Sequence, residues 1–307
     1  MKKITKILTS LAIFATLSAA YLSVSCQKQE SENYNNSKYV YDSSNNYYAD
    51  ADGLSGKQLF DKLSEIQQRH LDQINSYNDL KNLYINTNAF RDDIYEKDNS
   101  LLDIYSENPD GVDPYVYKNY QGGNGVNEGS GTNREHLIPQ SWFNRKEPMR
   151  NDAHHVWPTD ILVNRQRGNL PHDDVIHLES ETKNKSKLGK NKNQEDVFEP
   201  VNAFKGDIAR AYLYFALTYN NQDIYQNKNN VFKNKFPYIK KDYLQTYLKW
   251  NNNDSLDYFD VKRNNEIYKN HSIGLRNPFS DYPDLAENLF GENPKPFIDK
   301  GVLVEIK

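Results

Sequence analysis

The chain has 307 residues, 38 Lys+Arg against 42 Asp+Glu, and a formal net charge of −4. That length suffices for one large domain or two small ones, and the charge excludes a polyanion binder that works by bulk basicity. A single cysteine excludes intrachain disulfides, so a core rich in Tyr (23) and Phe (13) must hold the fold.

The N-terminus has the layout of an export signal: Lys2, Lys3 and Lys6, an apolar stretch from about Ile7 to Val24, small residues, then Cys26 in "LSVSC". A lone cysteine at that point resembles a bacterial lipoprotein signal, in which Cys26 becomes the lipidated first residue. An uncleaved anchor and a plain secretory signal are the alternatives, and all three export the chain. Residues 27–55 are polar and rich in Asn and Ser, which predicts a flexible tether.

Leu59, Phe60, Leu63 and Ile66 recur at helical spacing after Gly56, and a second helix is predicted over 76–84. "SLLDIYS" (100–106) reads as a strand. The Gly- and Asn-rich run 121–133 reads as a loop, followed by extended "REHLIP". A short helix is predicted over 158–167, with Pro158 in its first turn and Gly168 at its end. "KNKSKLGKNKN" (183–193) reads as a solvated lysine loop able to touch phosphates. Residues 206–220 are apolar almost all round and predict a central core helix, and 242–250 a further one. Few strands, several helices and no βαβ alternation indicate an α+β fold.

His136, His154, His155 and His172 cluster in sequence with Glu135, Asp152 and Asp160. The H-E-x-x-H zinc pattern, its inverse and G-x-S-x-G are all absent, which speaks against zinc and serine hydrolases. A hard-metal phosphodiesterase needs fewer ligands: Mg²⁺ keeps waters and takes phosphate oxygens, so one carboxylate and one amide oxygen suffice. Glu135 and Asn164 can supply them. Arg167, three residues on, shares a helical face with Asn164 and could reach the phosphate, and Asp160 at i−4 lies on that face too. His136 would be the general base. In a regular strand Glu135 and His136 point to opposite faces. They can share one site only if the backbone twists or the metal and water lie at the strand edge.

"NREHLIPQSWF" followed by "DAHHVWPTDILVNRQRGNLP" resembles the endonuclease I family of secreted bacterial nucleases, which carries N-R-E-H-x-x-P-x-S-x-F, then D-x-H-N-L-x-P, V-N and R-G-N. The likeness extends through "FEPVNAFKGDIARAYLYFALTY" (198–219), "RNNEIYKN" and "RNPFSDYPDLA", covering roughly residues 56–290. It implies a ββα-metal finger embedded among several helices, with His136 as general base on the first strand and Glu135 and Asn164 as ligands of one Mg²⁺ (Mn²⁺ or Ca²⁺ being alternatives). His155 replaces the family's usual Asn, and no cysteine matches the disulfide-bonded members. For the phosphate-binding arginine of some members, Arg145 and Arg150 are the candidates. Arg134, Lys185 and Lys187 are further candidate phosphate contacts, and Asp152, His154, His155 and Asn169 candidate site-orienting residues. Asp207 and Arg210 are expected to form an internal ion pair, Arg276 to anchor the C-terminal segment, and Trp142 and Phe143 to lie in the core.

The expected organisation is a signal over 1–25, lipidated Cys26 and tether over 26–55, a nuclease domain over 56–295 and a tail over 296–307. The expected activity is sequence-nonspecific cleavage of DNA, and of RNA with it, by an enzyme lipid-anchored on the outer face of the cell membrane, leaving 5′-phosphates. No protein partner is implied. The competing expectation is a non-catalytic surface lipoprotein, an adhesin or binding module, on a decayed nuclease fold.

Overall fold

The structure, a computed structural model, describes residues 38–222, 224 and 231–307. The signal and Cys26 lie outside the described residues. In chain order the elements are β1 (Tyr39–Asp42), α1 (Gly56–Gln68), α2 (Leu80–Asn86), β2 (Thr132–His136), β3 (Val156–Asp160), α3 (Ile161–Arg167), β4 (His177–Glu181), β5 (Lys187–Lys190), β6 (Asp196–Glu199), α4 (Lys205–Thr218), α5 (Lys241–Asn253), α6 (Tyr258–Asn270), α7 (Leu285–Phe290) and β7 (Val302–Ile306). Small antiparallel sheets pair β1 with β7, β2 with β3, and β4, β5 and β6 in that order. The α+β expectation holds.

α1 forms where the apolar spacing predicts it and buries Leu59, Phe60, Leu63 and Ile66. Each such side chain contributes roughly 1.5–3 kcal/mol on full burial. α4 buries every residue from Gly206 to Thr218 and packs against both α1 and α5, so it is the central helix of the core. A helix buried on all sides cannot leave charges unpaired. Its Arg210 bonds Asp260 of α6 (2.6 Å), and Arg263 of α6 bridges Asp207 and Asp260 at 2.8 Å each. The expected Asp207–Arg210 pair is thus one edge of a four-residue network, at 3.9 Å. Arg276 bonds Asp281 (2.6 Å) and the Leu303 carbonyl (3.3 Å), anchoring the C-terminal segment as expected. Trp142 and Phe143 are core residues.

Five expectations need correction. The helix over 76–84 begins later, at Leu80. Residues 100–106 are buried but form no strand beyond a single bridge at Leu101. The Asp103 carboxylate takes the backbone N–H groups of Tyr105 (2.9 Å) and Asp160 (3.0 Å), turning the chain out of an extended path. Pro158 lies in β3 opposite Arg134, on a strand with one neighbour, where its missing N–H can face away from the ladder. α3 starts at Ile161, with Asp160 as N-cap accepting from Val163 N at 2.9 Å, and ends as expected at Gly168, whose φ of 58° suits glycine. The lysine run is sheet in its middle: Lys187–Lys190 is β5, the central strand of its sheet. Finally, residues 38–55 of the expected tether and 296–307 of the expected tail belong to the folded unit, which runs from Lys38 to Lys307 with β1 and β7 paired.

Candidate active site

Among the described residues β2 has β3 as its only strand neighbour, so its other edge would expose backbone carbonyls. α3 closes that edge with side chains. Asn164 Nδ2 donates to the Arg134 carbonyl (3.2 Å) and to Asn133 Oδ1 (2.8 Å). One turn later Arg167 donates to the His136 carbonyl (2.7 Å) and to that of Leu137.

On this side of β2 lies Glu135, 1 % exposed. Its Oε1 accepts from Arg167 (3.0 Å) and from the Tyr105 hydroxyl (2.7 Å). Behind them His172 contacts Tyr105 (3.2 Å), Tyr212 (3.2 Å) and Arg167 (3.4 Å). Burial pushes the Glu135 carboxyl above its usual range, opposed by Arg167 and Tyr105. Although burial works against it, Arg167 is held charged above its usual value by Glu135. Burial, then Arg167, drives His172 down, so its imidazole is neutral.

His136, the next residue, turns to the opposite face. Its ring stacks on Tyr77 (5.9 Å between centroids) and packs near Phe143 and His155. Nε2 lies 3.1 Å from the Arg150 carbonyl. A carbonyl only accepts, so Nε2 carries the hydrogen and the lone pair sits on Nδ1. The imidazole is held down to about 3, first by burial, then by His155, with the Arg150 and Arg167 guanidiniums adding to the effect. It is therefore neutral and able to accept a proton throughout the physiological range.

The Arg134 and Arg150 guanidiniums lie 4.2 and 4.1 Å from the same Tyr77 ring. Among the described residues neither has a carboxylate partner, and the Nε of each is buried without a hydrogen bond. Two uncompensated cations thus flank the imidazole in a chain of net negative charge.

The loop that supplies the Arg150 carbonyl is pinned by Asp152. That carboxylate accepts from Tyr214 (2.7 Å), Tyr219 (2.8 Å), Ser272 (3.3 Å) and the backbone of His154 (3.0 Å). His154 bonds the Leu275 carbonyl (3.1 Å) and His155 the Met149 carbonyl (2.7 Å). These three residues position the loop.

The remaining candidates separate from the cluster. Arg167 is 1 % exposed and spends its donors on Glu135 and two carbonyls, so it is a positioning residue and does not reach a phosphate from solvent. Lys187 of β5 pairs with Glu199 (3.5 Å), and Lys185, in the connection from β4 to β5, with Glu181 (3.8 Å). Arg145 and Asn169 are exposed. Asp160 is the cap of α3. Tyr77 and Tyr105, which organise the two faces, carry no local motif, and only the fold brings them to β2.

A hard cation fits the donor set. Both side-chain donors to Glu135 converge on Oε1, leaving Oε2 without one. The Asn164 amide spends its nitrogen on β2, which turns its oxygen away from the strand. A carboxylate and an amide oxygen are ligands of the Mg²⁺ class. Of the two geometries that could unite residues 135 and 136, the strand edge is the one the α3 contacts favour.

β2, β3 and α3 thus bring a neutral buried imidazole, a buried carboxylate, an amide and two arginines together around one strand pair. The family model for Endonuclease I matches residues 55–284. The chain belongs to the Endonuclease I family. It is 29% identical over 255 residues to an extracellular ribonuclease of Bacillus subtilis (strain 168), covering 81% of this chain and 80% of the relative. It is also 29% identical over 249 residues to an extracellular ribonuclease of Bacillus amyloliquefaciens, covering 80% and 78%.

Proposed function

We propose that the protein is an exported, sequence-nonspecific endonuclease that hydrolyses phosphodiesters of DNA and RNA with one Mg²⁺ and His136 as general base. The observation that carries this reading is the juxtaposition of a neutral His136, its Nδ1 left for a water, with the unpaired guanidiniums of Arg134 and Arg150. The ribonuclease names of the relatives support RNA among the substrates.

In this mechanism Arg134 and Arg150 hold the backbone phosphate. Nδ1 of His136 takes a proton from a water that attacks phosphorus. The P–O3′ bond breaks and the departing oxygen takes a proton from solvent water, leaving a 5′-phosphate and a 3′-hydroxyl, and His136 then returns its proton to solvent. Glu135 and Asn164 would hold Mg²⁺, which when bound neutralises charge on the phosphate and the departing oxygen. Arg167 and Tyr105 keep the Glu135 carboxylate in one orientation. Among the described residues no base-reading element is evident, so the contacts are to phosphate and sequence preference is low.

Replacing Arg134 or Arg150 by Gln should raise KM more than it lowers kcat. Each change should reduce the slope of log K against log salt by about 1. Binding measured across a salt series checks this, and an unchanged slope in both variants would remove the arginines from the phosphate site.

The depressed His136 also has a pH consequence. Since its neutral form is the active one, kcat/KM should hold level from pH 8 down to about pH 5, whereas an unperturbed imidazole fails near 6.5. A rate profile with its acid limb at 6 to 7 contradicts that environment for the base.

Export and lipid anchoring at Cys26 belong to the same proposal, with scavenging of environmental nucleic acid as the role. No helix of the described residues is long and apolar enough to cross a membrane. Cys26→Ser should release the protein into the medium and abolish palmitate incorporation. The alternative, a non-catalytic surface binding module, is tested by the same nuclease assays.

A further inference from the structure

A second group of acids lies away from Glu135 and Asn164, in the loop before β2. One carboxylate oxygen from each of Asp92, Glu96 and Glu107 lies within 4.8 Å of the other two. None of the three is ion-paired with a basic side chain among the described residues. Acidic clusters on a surface are common, but this one has a buried side. Asp92 is fully buried and Glu107 is 2 % exposed. Oε1 of Glu107 is buried without a hydrogen bond. Its side chain reaches another carboxylate, Glu96. A buried carboxylate with an unmet oxygen beside two more carboxylates is unfavourable unless a proton or a cation compensates it.

From this arrangement we infer that Asp92, Glu96 and Glu107 form a structural calcium site, separate from the nuclease centre and independent of the reading given to it. Three carboxylates suit Ca²⁺, which takes six to eight oxygens in flexible geometry, better than Mg²⁺, which is usually held by one or two carboxylates plus waters or phosphate. Glu96 is exposed, which opens the site to solvent for ion entry and for water ligands. Asp92 is already fixed: its two oxygens accept the backbone N–H groups of Ile94, Tyr95, Glu96 and Lys97 at 2.9–3.1 Å. Without a cation, burial and the neighbouring Asp113, Glu96 and Asp92 push Glu107 up to about 9, so it would hold a proton at neutral pH. The ion would tie residues 92–97 to residue 107. That closes the loop carrying Tyr105, whose hydroxyl bonds Glu135 at 2.7 Å.

The test is thermal unfolding at pH 8 in EDTA and in CaCl₂, for the wild type, Glu107→Gln, Glu96→Gln and Glu135→Gln. At about a hundredfold excess of Ca²⁺ over its dissociation constant the wild-type midpoint should rise by on the order of 5 °C or more. Glu135→Gln should keep that rise, which separates this site from the nuclease centre. Glu107→Gln should lose it while melting in EDTA no lower than the wild type, because without a cation Glu107 already holds a proton and the amide is its neutral counterpart. If Glu107→Gln does not fold, the exposed Glu96→Gln carries the test and should lose most of the rise. A wild-type midpoint indifferent to calcium, or a full rise retained in the Glu107 and Glu96 variants, overturns the inference and leaves a proton shared among carboxylates.

Discussion

His136→Ala is expected to lower the nicking rate of supercoiled plasmid by a factor of about 10² to 10⁴ while the affinity for DNA changes little. In the proposed mechanism the imidazole accepts the proton: Nε2 is committed to the Arg150 carbonyl at 3.1 Å, and burial keeps the ring neutral. Binding should survive because the phosphate contacts fall to Arg134 and Arg150, which stack on Tyr77 and not on the imidazole. Truncation leaves a small cavity between Tyr77 and Phe143, so a melting curve must accompany the rate. A folded His136→Ala that digests plasmid at the wild-type rate removes the residue from the chemistry.

Arg167→Met is expected to act on stability. It leaves Glu135 buried with one donor fewer, and it strips the His136 and Leu137 carbonyls of a charged partner. Breaking a buried pair on one side costs about 3–5 kcal/mol, or roughly 10 °C of melting temperature in a domain of this size. Adding Glu135→Gln should return part of that loss, because the uncompensated charge goes with it. If Arg167→Met melts like the wild type but binds nucleic acid weakly, the guanidinium reaches the substrate after all, and its positioning role is wrong.

Periodicity made the helices legible. The apolar spacing in α1 and the unbroken apolar character of α4 follow from burial on one face or on all faces, and both helices form where expected. The failures have local causes. "SLLDIYS" looks extended by composition, but Asp103 captures backbone N–H groups and the run stays irregular, buried by tertiary packing. Pro158 suits a helix start by propensity, yet an edge strand tolerates it equally. The lysines of 183–193 suggested solvation, while Leu188 and Gly189, at the centre of a short strand, held too little pattern to be seen. Residues 38–55 lack periodicity because β1 is four residues long and finds its partner 260 residues away.

At the candidate site, the residues and the resemblance singled out Glu135, His136 and Asn164, and the fold places the first two on β2 and the third against its edge. The sense of Arg167 was not readable from either. Spacing put it on the face of Asn164, but only the open edge of β2 explains why it turns inward to carbonyls. Tyr77 and Tyr105 belong to segments without a motif, and no local pattern marks a tyrosine that will meet a strand far along the chain.

On the proposed reading, the edge of β2 sealed by α3 holds one cation at Glu135 and Asn164 in service of phosphodiester cleavage. Nicking of supercoiled plasmid by the purified wild type, first in EDTA and then with excess Mg²⁺, tests it most directly, with Glu135→Ala run alongside. Cleavage should vanish in EDTA, return with Mg²⁺, and in Glu135→Ala remain weak at any Mg²⁺ concentration. Full-rate cleavage in EDTA, or by Glu135→Ala, contradicts the account.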